Sequence, residues 1–154
     1  SSNGKDEAEF YLSVNPGEPL KPLGSVASGG EISRVMLAVK TVLADEEDTP
    51  TLIFDEIDTG ISGITAGKVG DCLRLIGKSR QVICITHLPQ IAATADHHFP
   101  IRKKAEGTSV RTDVEMLDEA ASVEELARLL GGANVTERVM ESAKELKELA
   151  KCER

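Results

Sequence analysis

Four short stretches of this chain hold residue types whose spacing suits chemistry: Ser28-Gly29-Gly30-Glu31, Asp55-Glu56, Asp58 to Gly63, and Thr86-His87. In the first, Ser28 followed three residues later by Glu31 is the pattern of a helix capping box. That pattern accounts for two of the four residues and leaves the glycines. Each costs about 1 kcal/mol against alanine inside a helix, a cost that makes sense where something must approach the backbone closely. A helix start with bare amides and a free hydroxyl is also an anion site, because its unpaired N–H groups and its dipole point at whatever arrives. Capping and phosphate binding both remain open at this stretch.

Asp55 and Glu56 end the apolar run Thr51-Leu52-Ile53-Phe54. One acid there would mark where a buried strand reaches solvent. Two in a row, at the edge where ligands of open α/β sheets bind, suggest a division of labour. Side chains alternate along a strand, so Asp55 could serve a magnesium ion while Glu56 orients and deprotonates a water. The next segment, Asp58-Thr59-Gly60-Ile61-Ser62-Gly63, reads either as a plain loop whose Ser62 caps the following helix or as a flexible loop communicating with the carboxylates. His87 follows the run Gln81 to Ile85 and has two readings, a structural histidine or a donor to a terminal phosphate oxygen. His97-His98 has no acidic or cysteine partner at metal spacing and reads as structural, and Cys84 reads as core. A phosphate-cradling loop of the form G-x-x-x-x-G-K-[ST] is missing. Gly77-Lys78-Ser79 imitates its end, but position 72 is Cys and the tripeptide closes a helix before a strand.

The elements that must position these residues follow from periodicity. Ala8 to Val14 predicts a strand, and Asn15 to Gly24 a connector. From Gly30 to about Ala44, apolar residues recur at Ile32, Val35, Met36, Val39, Val42 and Leu43, the spacing of one buried helical face lying on a sheet. Thr51 to Phe54 and Gln81 to Ile85 predict strands buried on both faces. Gly63 to Lys78, with Ile64, Cys72, Leu73 and Ile76, predicts the helix of a parallel crossover between them. His98 to Lys103 and Ser109 to Leu117 predict a hairpin around Gly107-Thr108. Ser122 to Leu130 predicts a helix with the capping box Ser122 and Glu125, stopped at Gly131-Gly132. Thr136 to Cys152 predicts a final amphipathic helix, with Val139, Met140, Ala143, Leu146 and Leu149 inward and Lys144, Lys147 and Lys151 on a solvated face. The fold class is α/β in one domain, residues 1–154, a mainly parallel sheet flanked by helices with a β-hairpin and C-terminal helices.

Composition narrows the function. Among 154 residues, 26 acids against 18 bases give a net charge of −8, and aromatics make up 3%. That charge repels a phosphate backbone and leaves little to stack bases on, so the chain is not expected to be a general reader of nucleic acid. A mean hydropathy of −0.16 fits a globular chain. No apolar run approaches the roughly 20 residues of a membrane span, and the first residues carry no secretory pattern. No membrane partner is expected. Three cysteines without a C-x-x-C pair fit a reducing cytoplasm.

In order and spacing, Ser28-Gly29-Gly30-Glu31, Thr51 to Glu56, Asp58 to Gly63 and Thr86-His87 resemble the signature motif, Walker B strand, D-loop and switch histidine of ABC-type ATPase heads. The runs Asn15 to Leu23, Ala27 to Glu31, Phe54 to Gly63 and Thr86 to Ala92 resemble the C-terminal part of the RecN family of bacterial DNA repair proteins, relatives of the SMC proteins. The likeness extends to Gly131-Gly132 and the last helix. Ala27 departs from the ABC pattern, which usually carries Leu there. The resemblance implies an SMC-like head whose Walker A lobe and coiled coil lie elsewhere, with two heads closing on ATP and DNA bound through the full-length protein. It implies that Ser28, Gly29, Gly30 and Glu31 complete the nucleotide site of a second copy. Asp55 would hold Mg²⁺ through water, Glu56 would be the general base, Asp58 would act across the dimer, and His87 would sense the γ-phosphate. This chain by itself is then expected to hydrolyse almost no ATP. Two alternatives are an interaction module in which ATP only joins heads, and a metal-dependent hydrolase built from Asp55, Glu56 and His87.

Overall fold

In the computed structural model, which describes residues 4–5, 8–13, 17–25, 28–43, 49–106 and 109–152, the chain begins with a small antiparallel pair. Its strands are β1 (Tyr11–Leu12) and β2 (Lys21–Pro22), with Tyr11 opposite Pro22. The longer strand expected from Ala8 is cut to two residues, and the connector supplies its partner. Pro22 has no N–H with which to extend a ladder, and the pair is closed instead by Leu23 N–H to the Phe10 carbonyl at 2.7 Å. Val14 to Pro16, Ala27 and Ala44 lie outside the described residues.

Helix α1 (Gly29–Val42) leads to β3 (Thr51–Phe54), α2 (Gly63–Gly77) and β4 (Gln81–Cys84). Strands β3 and β4 pair in parallel, Leu52 opposite Val82 and Phe54 opposite Cys84. The expected strand–helix–strand unit is therefore present. Its register matters for function, because the residues after Phe54 and after Cys84 leave the sheet at the same edge. The core packs on one face only. Leu52 and Phe54 join Leu37, Ile57, Val69, Leu73, Ile76 and Ile91, whereas Ile53 is 68% exposed and Ile83 and Ile85 are also open. Burial on both faces, expected from the apolar runs, is not found.

The expected buried face of α1 is corrected in the same way. Only Gly30 and Leu37 of that helix are buried; Ile32, Met36, Val42 and Leu43 are exposed. A sheet of two strands, about 5 Å apart, is too narrow to cover a helix of 14 residues, and the main neighbour of α1 is α2. In α2, Leu73 and Ile76 face the core as expected, but Ile64 is 82% exposed.

After β4, Pro89 opens the short helix α3 (Pro89–Ala92), and the hairpin β5 (Ile101–Glu106) and β6 (Ser109–Val114) follows, with Ile101 opposite Val114. Strand β5 starts three residues later than the sequence predicts. Gly107-Thr108, the expected turn, lies outside the described residues. Helix α4 (Glu119–Gly131) starts one turn earlier than predicted. Asp118 is its cap, with Oδ1 accepting the Ala121 N–H at 2.8 Å. Asp caps as well as Ser, which lets Ser122 go inside the helix, buried, while Glu125 turns to Arg128 at 3.0 Å. Gly132, at φ +64°, ends the helix, its N–H on the Arg128 carbonyl at 2.8 Å.

Helix α5 (Glu137–Cys152) packs on α4. Their shared core holds Leu126, Ala127 and Ala143, with Val123, Val139, Met140 and Leu146 against it. Two expectations about α5 are overturned: Leu149 is exposed, and Lys147 is buried at 7%. Ala143 and Lys147 stand four residues apart and so share a face, and an alkyl stem can lie along apolar surface. No helix among the described residues is long and apolar enough to cross a membrane.

Leu126, fully buried, should lose about 2–5 kcal/mol of stability as Leu126→Ala in urea denaturation. Ile64→Ala should change it by less than about 0.5 kcal/mol.

Candidate functional site

The site grows out of the turn that follows β3. Asp55 Oδ1 accepts the Glu56 N–H at 2.9 Å. Glu56 then adopts φ +56°, a left-handed conformation that residues with a Cβ adopt rarely and that clusters at functional sites. Thr59 N–H closes the turn on the Glu56 carbonyl at 3.1 Å. Ile57, fully buried, anchors it in the core, while the side chains of Asp55 and Glu56 belong to exposed residues.

The first turns of α1 hold this loop from the side. Ser33 Oγ donates to the Asp55 carbonyl at 2.9 Å, and Arg34 Nη1 donates to the carbonyls of Ile57 at 3.2 Å and Thr59 at 2.8 Å. Gly30 lies so near that an added Cβ would sit 2.9 Å from the Glu56 carbonyl oxygen and 3.0 Å from Thr59 Cβ. A Cβ on Gly29 would run into the Glu56 carboxylate. The close approach that the glycines signal in the sequence is thus made within the chain, by Glu56 and its turn. The capping half of the reading also holds, since Ser28 N–H donates to Glu31 Oε2 at 3.3 Å. Ser28 and Gly29 stay exposed and Gly30 is buried.

Two residues beyond Glu56, the turn delivers Asp58 to the end of β4. Its side chain is 5% exposed, and one oxygen, Oδ2, gathers three donors: Thr86 Oγ at 2.6 Å, His87 N–H at 2.8 Å and His87 Nδ1 at 2.9 Å. Burial pushes the Asp58 carboxyl up, but the Thr86 hydroxyl, the His87 amide and the charge of the His87 ring outweigh it and hold it below the ordinary value. A carboxylate at Nδ1 fixes the proton there and leaves Nε2 as the free position of a ring that is 74% exposed. Cys84, under the same corner, is pushed up to about 12 by burial and by Asp58 and Asp55; it is a packing thiol, as expected. His98 is also structural: it is buried, with Nε2 on the Ala92 carbonyl at 2.8 Å.

Three side chains of this arrangement are not identified from the sequence. Ser33 and Arg34 share a helical face with Gly30 by their spacing of three and four, the one signal that could have found them. Thr86 is recognised only as a neighbour of His87; its bond to Asp58 follows from the parallel register. No group of three His, Cys, Asp or Glu that could hold a metal ion is found among the described residues. The donor set instead suits a magnesium ion that keeps its waters and takes further oxygens from a phosphate, as magnesium commonly does: Asp55 commits Oδ1 to the Glu56 amide and offers its second oxygen.

No family model matches the chain. The relatives that it resembles are bacterial proteins named for DNA repair. They are RecN proteins, and the chain is similar to their C-terminal part: it is 53% identical over 148 residues to DNA repair protein RecN of Halalkalibacterium halodurans. It is 49% identical over 143 residues to that of Vibrio cholerae and 44% over 146 to that of Bacillus subtilis. These matches cover 96%, 93% and 95% of this chain but 26%, 26% and 25% of the relatives. The chain therefore corresponds to the C-terminal part of RecN and spans about a quarter of those proteins' length. A solved structure from work on ATP-driven dimerization and DNA-stimulated activation of SMC ATPases is 24% identical, with a TM-score of 0.47, over 73% of this chain and 68% of its own.

Because the folded Asp58 carboxyl lies below its ordinary value of 3.8, its contribution to stability is present above that pH and lost as pH falls through the folded value. Asp58→Asn should cost about 1–3 kcal/mol at neutral pH, with the gap to wild type narrowing in denaturation curves taken below pH 3.8. Gly30→Ala should destabilise by roughly 1–3 kcal/mol. Gly67→Ala, in α2 with nothing within 4 Å of the added carbon, should gain up to about 1 kcal/mol in the same assay.

Proposed function

We propose that this chain is the C-terminal half of an SMC-like ATPase head that acts in DNA double-strand-break repair and recombination, in the bacterial cytoplasm at the nucleoid. Supporting this reading is the parallel register of β3 with β4, which ends Asp55-Glu56 and Thr86-His87 at one sheet edge in a chain 53% identical to a RecN protein over 148 residues. ATP and Mg²⁺ are the cofactors. The partners are the N-terminal Walker A lobe of the same protein, a second copy in a head-to-head dimer, and DNA bound through the full-length protein.

In this reading Glu56 is the general base. Its carboxylate orients a water and takes its proton as the oxygen bonds to the terminal phosphorus and the bond from that phosphorus to the bridging oxygen breaks, releasing ADP and phosphate. His87, held at Nδ1 by Asp58, donates from Nε2 to a terminal phosphate oxygen as the imidazolium, the form in which both ring nitrogens carry a hydrogen, and so stabilises charge gathering there. Asp55 would help to hold a magnesium ion, which would supply charge neutralisation on the phosphates. Ser28 and Gly29, exposed at the start of α1, face the nucleotide of the second head with Glu31, as a helix N-terminus suits an anion, while Gly30 lies buried behind them against the Glu56 turn. Asp58 contributes to the D-loop across the dimer from its backbone, since its carboxylate is committed to Thr86 and His87. Engagement and release of heads is then timed by hydrolysis.

The test is reconstitution. The chain alone should turn over almost no ATP, and joining it to the Walker A lobe should restore turnover. In that complete head, Glu56→Gln should lower kcat by about 10²- to 10⁴-fold and accumulate an ATP-bound dimer. Undiminished hydrolysis would remove Glu56 as base, while dimers that hold uncleaved ATP in a single-turnover experiment with wild type would favour the interaction module.

A further inference from the structure

We infer that Arg34 is a positioning residue for the candidate base, tying the glycine-started helix to the turn that carries Glu56; this rests on the ATPase reading above. Arg34 stands one helical turn after Gly30, on the same face. Its Nη1 bridges two carbonyls of one turn, Ile57 at 3.2 Å and Thr59 at 2.8 Å. Those carbonyls flank Asp58 and follow directly on Glu56, whose φ of +56° must be imposed by its surroundings, because an isolated glutamate would leave the left-handed region. On the near side, Gly30 packs against the Glu56 carbonyl and Thr59, and Ser33 Oγ holds the Asp55 carbonyl at 2.9 Å.

The turn is thus gripped on both sides of Glu56 from a single helix. A guanidinium suits such a grip, being planar and permanently charged, with a fixed fork of donors that loses little freedom per bond made. The helix whose first residues would meet the second head's nucleotide is therefore the same rigid body that sets the backbone of Glu56. Arg34 touches neither phosphate nor water in this scheme and acts only through the turn.

The experiment compares Arg34→Met, Arg34→Lys and wild type in the complete head, this chain joined to its Walker A lobe. For Arg34→Met, kcat should fall roughly 10- to 100-fold, with the KM for ATP within about twofold. Arg34→Lys, which keeps a donor without the fork, should recover part of the loss. In hydrogen exchange on the same proteins, the amides of residues 56–61 should exchange about tenfold faster in Arg34→Met, with those of α4 and α5 unchanged. Unaltered exchange at 56–61, a loss of protection spread equally into α4 and α5, or a kcat equal to wild type with turnover present would each overturn the proposal. Should wild type itself hydrolyse no ATP, the ATPase reading fails, and the exchange data still decide whether Arg34 holds the turn.

Discussion

A carboxylate withdrawn from water must be met by donors, and Asp58 finds all of its partners in the two residues that follow β4 and its extension, Thr86 and His87. This single requirement joins the exits of both parallel strands. With Ile57 locked in the core beside it, Asp58 converts what would be a loose loop into a fixed corner, and the imidazole of His87 inherits its orientation from that corner. Asp55 and Glu56 stay exposed beside it, Asp55 with one carboxylate oxygen on the Glu56 amide.

Around this corner the chain is unevenly finished. The face of the sheet toward α2 is packed, as is the α4–α5 pair, which forms its own small core. The opposite sheet face, with Ile53, Ile83 and Ile85, and the apolar residues along α1 lie open. Hydrophobic residues scattered singly on a surface mean little; here they recur on the helix and on the strands that carry the candidate site.

Much of this arrangement is readable from residue types alone. The α/β class, the strand–helix–strand unit, the hairpin and both terminal helices follow from periodicity, because a period of two or of 3.6 is a local property. What local patterns could not provide is which faces find a neighbour. Apolar Ile53 and Ile83 read as buried, yet burial depends on a layer that the sequence of these strands does not encode. Ser122 reads as a cap because its spacing to Glu125 is right, and Asp118 one turn earlier takes that place. In the site, the pairing of acids with a histidine at one edge is legible from where the strands end. The grip of Ser33 and Arg34 on the turn is not, since it depends on the angle at which a helix meets a loop some twenty residues away.

The thiols divide in a way that has a practical side. Cys84, raised to about 12, is essentially without thiolate at neutral pH, and the thiolate is the form that attacks electrophiles. Cys72 is half-buried in α2, and Cys152, in the last turn of α5, is the one exposed cysteine of the three. A maleimide fluorophore would accordingly mark the chain at a single end, on a helix that contributes nothing to the corner at Asp58, and would report distances between chains without touching the residues under study.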